Sequence, residues 1–298
     1  MITWKTIEIE DRDWMMQKLR EDDRQSCEYS FANNFIWGPV YGAQVAEAEG
    51  CCLIRFAEEH ERCYAFPIGN GDKTAALERM RKEAEEQGVT FRLVTLLEQD
   101  KEYLEQYFPG QFEIREDRDS FDYIYTVDKL STLSGKKLHG KRNHIARFKD
   151  NQDWSYEPLT DANKQDCYEM NLAWCDRRNC VWNEELTGEQ CALKRAFDHL
   201  EELGLEGGVL RLHGDIVAFC VGEPLNSNTY VVHFEKAFAE IQGAYPMINQ
   251  QFVLHNCQEY QYVNREEDTG DEGLRKAKLS YYPDILLEQY SAVYCGRN

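Results

Sequence analysis

Two halves of this 298-residue chain spell nearly the same order of elements, and that repetition limits the fold more than any single motif does. The first half opens with an alternating strand, "TWKTIEIE", then a helix capped by Asp11 and a second helical piece, "SFANNFIW". Three strand-like runs follow, "AQVAEAE", "CCLIRFAE" and "RCYAFPIG". Asp72 starts an amphipathic helix with Leu77, Met80 and Ala84 on one stripe and Gly88 as its stop. Strand "FRLVTLL", helix "QDKEYLEQYF" and strands "QFEIRE" and "DYIYTV" complete the half. The second half repeats the order. It runs from "WSYEPL" through helices begun at Asp161 and at the Thr187–Gln190 capping box to "EGGVLRLH", "DIVAFCVGEPL" and "TYVVHFEKA". A helix after Gly243, strand "YQYVNRE", a short helix over 274–279 and a strand-like run "ILLEQYSAVY" close it.

Each half therefore reads strand, helix, helix, three strands, helix, strand, helix, strand. No residue-level repeat accompanies this, so the repeat is one of architecture. The order is similar to that of the acyl-CoA N-acyltransferase fold, in which a mixed sheet splits where two parallel strands splay apart. The fold class expected is thus α/β with mixed sheets, as two tandem acyltransferase-like (GNAT-like) domains. The expected boundaries are 1–130 for the first domain, 131–152 for a connecting basic helix and 153–298 for the second domain.

Charge singles out the connector. The chain carries 34 Lys and Arg against 54 Asp and Glu, a net charge of −20, which repels nucleic acid and anionic membranes at long range. Yet "KLSTLSGKKLHGKRNHIARFK", from Lys129 to Lys149, contains basic residues and no acid. On a helix Leu138, Ile145 and Phe148 share a stripe that also takes in Lys141, with Arg142 and Lys149 beside it. A cation aimed at a packed seam is costly unless paired. Lys137, His139, Lys141 and Arg142 are therefore candidates for gripping an anion, and a solvated basic face or an interdomain salt-bridge strip is the competing reading.

"KKLHGKRNHIARF" and "NREEDTGDEGLRKAKLSYYP" resemble the two signature stretches of the phosphatidylglycerol lysyltransferase C-terminal domain family, which is related to the Fem-type aminoacyl-tRNA-dependent transferases. The resemblance implies tandem acyltransferase-fold domains and transfer of an acyl or aminoacyl group to an amine or hydroxyl acceptor. The membrane-embedded part of the lipid lysyltransferase has no counterpart here, which weakens phosphatidylglycerol as the specific acceptor. In the second stretch Arg275, Lys276 and Lys278 are candidates for binding a phosphate or carboxylate, with Glu267 or Asp268 holding an amine. The same placement of acids before cations also suits a helix dipole.

An acceptor must lose a proton as it attacks a thioester or ester. His233 and Glu235, on the fourth strand of the second copy, are the candidates to take it, while Tyr281 or Tyr282 is a candidate donor to the leaving thiol or ribose hydroxyl. An ordinary CoA pyrophosphate site is poorly represented. "AEIQGAYPMI" lacks the usual spacing before its glycine, and Gly69 and Gly71 suit a turn as well as an anion cradle.

No tightly bound cofactor is expected. The donors are acyl-CoA or aminoacyl-tRNA, and the acceptor is a small molecule, peptide or lipid headgroup. A noncatalytic binding or regulatory protein on the same fold is the alternative. Eleven cysteines without a ladder-like spacing read as mostly reduced core thiols in a cytoplasmic protein, and Cys175 and Cys180 lack the second pair that a zinc site needs. No run reaches the roughly 20 apolar residues of a membrane helix.

Overall fold

A computed structural model of the chain describes residues 2–58, 61–151, 153–178 and 184–296. The elements of the first half are β1 (Lys5–Thr6), α1 (Arg12–Asp22), α2 (Phe31–Trp37), β2 (Gln44–Ala48), β3 (Cys51–Glu58), β4 (Glu61–Tyr64), α3 (Lys73–Glu86), β5 (Arg92–Leu96), α4 (Glu98–Tyr107) and β6 (Phe112–Glu116). Those that follow are β7 (Asp122–Thr126), α5 (Val127–Thr132), α6 (His139–Lys149), β8 (Trp154–Pro158), α7 (Lys164–Arg178), α8 (Glu184–Asp198) and α9 (Leu200–Leu203). The chain continues through β9 (Glu206–Leu212), β10 (Asp215–Pro224), β11 (Thr229–Ala237), α10 (Ala244–Asn256), β12 (Tyr262–Asn264), α11 (Glu272–Leu279), β13 (Ile285–Leu287) and β14 (Tyr290–Tyr294). The Thr187–Gln190 pair lies inside α8, which starts three residues earlier at Glu184.

The chain divides into two compact units. Unit 1 comprises Met1–Asp122, Glu267–Arg275 and Leu286–Asn298, and unit 2 comprises Tyr123–Glu266 and Lys276–Ile285. This differs from a simple succession of blocks. The C-terminal run expected as one strand breaks into two, and its second piece, β14, pairs antiparallel with both β5 and β6 in the first sheet. Each of those strands would otherwise expose a row of unpaired backbone groups, and that need draws the terminus back.

The first sheet has the order β1-β2-β3-β4-β5-β14-β6. Asp72 caps α3 by accepting from the Ala75 N–H at 2.9 Å, and the buried Leu77, Met80 and Ala84 press the helix onto the sheet with Leu53, Tyr64 and Leu93. Gly71 serves a turn: a Cβ there would lie 2.3 Å from the Glu49 carbonyl oxygen. β4 and β5 are parallel and share a single registered pair, Tyr64 with Leu93, before they part.

The second sheet has the order β13-β7-β12-β11-β10-β9-β8. The expected basic connector belongs to unit 2, where α6 packs on α10 through buried Leu138, Ile145 and Phe148. The helices meet at Gly243, whose φ is 87° and where a Cβ would sit 2.2 Å from the His144 carbonyl oxygen, so only glycine fits. Both units thus carry the split mixed sheet of the acyltransferase fold in tandem.

Candidate active site

The split in unit 2 positions a polar cluster. β11 and β12 pair in parallel only from Thr229 with Tyr262 to Val231 with Asn264, after which β11 runs on alone to Ala237. On its other edge β11 stays paired with β10, but a register shift at Val221/Gly222 leaves His233 as the extra residue of a bulge. Bulges re-aim side chains. His233 and Glu235 accordingly lie on the stretch that β12 has left.

Glu235 is the centre of the cluster. Its Oε1 accepts from Arg265 Nη2 at 2.9 Å, and its Oε2 accepts from Asn249 Nδ2 at 2.8 Å. Arg265 directly follows β12, and Asn249 lies on the buried face of α10 between Ile248 and Phe252. The Arg265 guanidinium lies 4.8 Å from the Tyr281 ring centroid, and Lys141 Nζ lies 3.9 Å from that same centroid. Tyr125 stands edge-on to Tyr281 and donates its hydroxyl proton to the Lys278 carbonyl at 2.7 Å.

Two buried atoms of this cluster have no hydrogen-bond partner among the described residues: Arg265 Nη1, a donor, and Asn249 Oδ1, an acceptor. Leaving such atoms unpaired costs about 1–3 kcal/mol each. They belong to the two residues that grip one carboxylate, so a ligand bringing one acceptor and one donor would satisfy both.

Electrostatics sort the titratable groups. Burial, and then the neighbouring Arg265 charge, bring the Lys141 ammonium down to about 8, with Glu235 pulling the other way. Burial pushes the Tyr281 phenol well above its ordinary value. At Arg265 burial disfavours the cation, but Glu235 outweighs it and holds the charge firmly. His233 is similar in kind. Burial opposes its charge, yet its Nδ1 meets Glu266 at 2.8 Å and its Nε2 meets Glu223 at 3.3 Å, which together raise it to about 9. Both ring nitrogens are engaged, and the ring is an imidazolium at neutral pH.

The remaining residues singled out in the sequence have other surroundings. Arg142 Nη1 donates to the Leu133 and Gly135 carbonyls, the second at 2.8 Å. Lys278 is buried and donates to the Glu266 carbonyl at 3.1 Å. Lys137 is exposed, 5.0 Å from the ring of Tyr282, itself 44% exposed, and His139 is exposed with Nε2 3.2 Å from Asn143. Lys276 is also exposed. In unit 1 Arg275 is held by Asp268, through Nε at 2.9 Å and Nη2 at 2.7 Å, and by Asp119 at 2.6 Å. Asp268, fully buried, is taken up by this fork and by Arg118. Those carboxylates hold the Arg275 cation well above its usual range.

Lys141, Glu235 and Tyr281 therefore come together, whereas Arg142, Arg275 and Lys278 are engaged by the chain's own groups. Arg265 and Asn249 went unrecognised in the sequence. The signal available was an asparagine on the apolar stripe of α10, where a polar residue needs a partner. Cys175 is disulfide-bonded and so is no zinc ligand, while Cys180 lies outside the described residues.

Residues 20–293 match the family described as "Phosphatidylglycerol lysyltransferase, C-terminal". The chain belongs to that family. Another similar chain is a conserved protein of unknown function from Bacteroides thetaiotaomicron, 40% identical over 99% of this chain and 100% of that one, with a TM-score of 0.95. The C-terminal domain of a putative lysylphosphatidylglycerol synthetase from Agrobacterium fabrum shares the fold at 12% identity, with a TM-score of 0.67 over 97% of this chain and 93% of that one. An uncharacterized protein of Mycoplasmoides gallisepticum, MYCGA3080, is 28% identical over 57% of this chain, and the match spans 55% of that relative's length. No helix among the described residues of this member is long and apolar enough to cross a membrane.

Proposed function

We propose that this chain transfers an acyl or aminoacyl group from a phosphate-bearing donor, either aminoacyl-tRNA or acyl-CoA, to an amine or hydroxyl acceptor at the split sheet of unit 2. The observation that carries this reading is the buried Arg265 guanidinium, whose Nη1, like the Asn249 Oδ1 of the same cluster, has no partner among the described residues. A fixed cationic donor in a low-dielectric site suits the negative charge that develops on a carbonyl oxygen during acyl transfer. The free acceptor atom suits an amine or hydroxyl proton of a substrate. Exposed Lys136, Lys137 and Lys276 supply the cations for the donor's phosphates, and a small molecule, peptide or lipid headgroup serves as acceptor. A cytoplasmic setting suits the nine free cysteines among the described residues.

A binding or regulatory protein is the second reading. It is favoured by the engagement of Arg142, Arg275 and Lys278 with internal groups, which takes three of the expected anion-binding cations out of play.

Calorimetric titration of the full chain with acetyl-CoA and with a nonhydrolysable aminoacyl-tRNA analogue, at low and moderate salt, tests the first reading. Several phosphate contacts give tRNA binding a steep salt dependence and CoA binding a shallow one. Binding of either donor, followed by release of radiolabelled acyl group to an acceptor, supports the transferase. Binding without transfer supports the regulatory reading, and silence from both donors overturns the donor assignment.

A further inference from the structure

We propose that Lys141 is the general base of the transfer, its Nζ taking the proton from the acceptor amine or hydroxyl as that group attacks the acyl carbonyl. The assignment rests on the transferase reading above and deepens it at the same site.

Placement comes first. Lys141 falls on the stripe of α6 formed by Leu138, Ile145 and Phe148, all buried, and the close approach of α6 to α10 at Gly243 fixes that stripe inward. The amine is therefore delivered into the split sheet, over the face of Tyr281. Among the described residues it has no hydrogen bond or ion pair, only the ring beneath it. The one carboxylate in reach, Glu235, has both oxygens committed to Arg265 and Asn249. Among the described residues no carboxylate therefore forms an ion pair with Nζ.

The balance of burial and charge around the amine acts in the same direction. Glu235 faces it from β11 and Arg265 from the end of β12, with the Tyr281 ring beneath it. Burial and the Arg265 cation outweigh Glu235, so the ammonium titrates near 8, within the range in which a lysine serves as a base at physiological pH.

The other candidates are less suited. Both carboxylate oxygens of Glu235 already accept from Arg265 and Asn249. His233 is buried with both nitrogens facing carboxylates. Tyr281, pushed upward, is a poor acid.

The step balances. The acceptor nitrogen or oxygen forms a bond to the acyl carbon while its proton moves to Lys141 Nζ, and Arg265 Nη1 donates a hydrogen bond to the carbonyl oxygen. As the intermediate collapses, the bond from the acyl carbon to the ribose oxygen or thiol sulfur breaks. The leaving atom takes the proton from the Lys141 ammonium, which returns the amine to its starting state.

Two measurements on the full chain test this. Competitive acetylation by acetic anhydride from pH 6 to 11, with peptides quantified by mass spectrometry, reads the titration of Lys141 without any substrate. Turnover is then followed with radiolabelled lysyl-tRNA and acetyl-CoA, offering a peptide amine and a glycerol headgroup as acceptors. The expected result is a labelling midpoint near 8 rather than the ordinary lysine value of about 10.4. Transfer should rise with pH to a plateau above that midpoint. Lys141→Arg should cut kcat at least about 100-fold and flatten the profile, with donor affinity kept. Lys141→Ala should be partly rescued by added ethylamine. A midpoint above about 10, or an unchanged profile in Lys141→Arg, overturns the base and leaves the transferase reading standing. Absence of transfer by the native chain from both donors overturns the transferase reading, and the base with it.

Discussion

The two split sheets share a backbone plan but differ in what fills them. In unit 1 a cavity of about 10 Å³ beside β4 and β5 is lined mostly by apolar side chains, among them Tyr29, Phe66, Ile54 and Phe56, with Glu28 and Asn34 at its wall. Thr95 lines it with φ at 56°, a strained conformation for a β-branched residue that the packing around it must stabilise. In unit 2 the corresponding gap holds ionised groups, with Glu235 against Arg265 and His233 between Glu223 and Glu266. Apolar packing is the stabilising way to close such a gap, and buried ion pairs are often no better than the hydrophobic residues that could replace them. The comparison teaches that unit 1 has been closed largely by apolar packing while unit 2 keeps a buried polar cluster that stability alone does not require.

The largest test of this contrast is Arg265→Ala. It strands Glu235 in a buried site without its cation and should lower unfolding free energy by about 4 kcal/mol in denaturant titrations, with a similar loss in Arg265→Met, which keeps most of the volume but not the charge; a much smaller loss in Arg265→Met would instead mark a packing role. Tyr29→Ala in unit 1 should cost about 3 kcal/mol through the enlarged cavity, yet calorimetry should find no acetyl-CoA binding gained there. If that variant does gain a donor site, the two splits are chemically closer than their contents indicate.

A smaller effect distinguishes the two by pH. His233 is held at about 9 in the fold against 6.5 ordinarily, so its contribution is fully present below about 6.5 and is lost as pH rises through about 9. Native stability should fall by an amount on the order of 3 kcal/mol across that window, and His233→Gln should flatten this part of the curve. The smallest change expected is for Asp119→Ala in unit 1. Asp119 is 61% exposed and Arg275 keeps its fork to Asp268, so the shift in thermal midpoint should correspond to less than about 1 kcal/mol.

Much of the fold was legible in the sequence because its local signals agree with one another. Ser30 and Asp72 cap α2 and α3, Gly243 opens α10, and the strand alternation of β2, β3 and β9 to β11 falls where periodicity places it. The start of the chain was read less well, since "TWKTIEIE" alternates over eight residues but pairs only at Lys5 and Thr6. The final run fails for a different reason. Gln289 is buried between β13 and β14 and marks a change of sheet that no local pattern encodes.

Of the site, the stripe position of Lys141 and the strand position of Glu235 could be read from spacing. The partnership of Glu235 with Asn249 and Arg265 could not, because it joins residues 14 and 30 positions away along the chain. Arg275 and Lys278 illustrate the converse. Their composition pointed to an anion, and neighbouring acids and carbonyls answered it first.

The return of β14 to the first sheet also bears on how the chain is made. On a ribosome delivering residues from the N-terminus, β5 and β6 emerge by residue 116, but the strand that separates them is not available until Tyr290–Tyr294. The chain must be synthesised through Tyr294 before the first sheet can close, so unit 1 begins before unit 2 and is completed after it. During that interval two strand edges wait without a partner, which makes the nascent chain, more than the finished protein, the species that chaperones must protect.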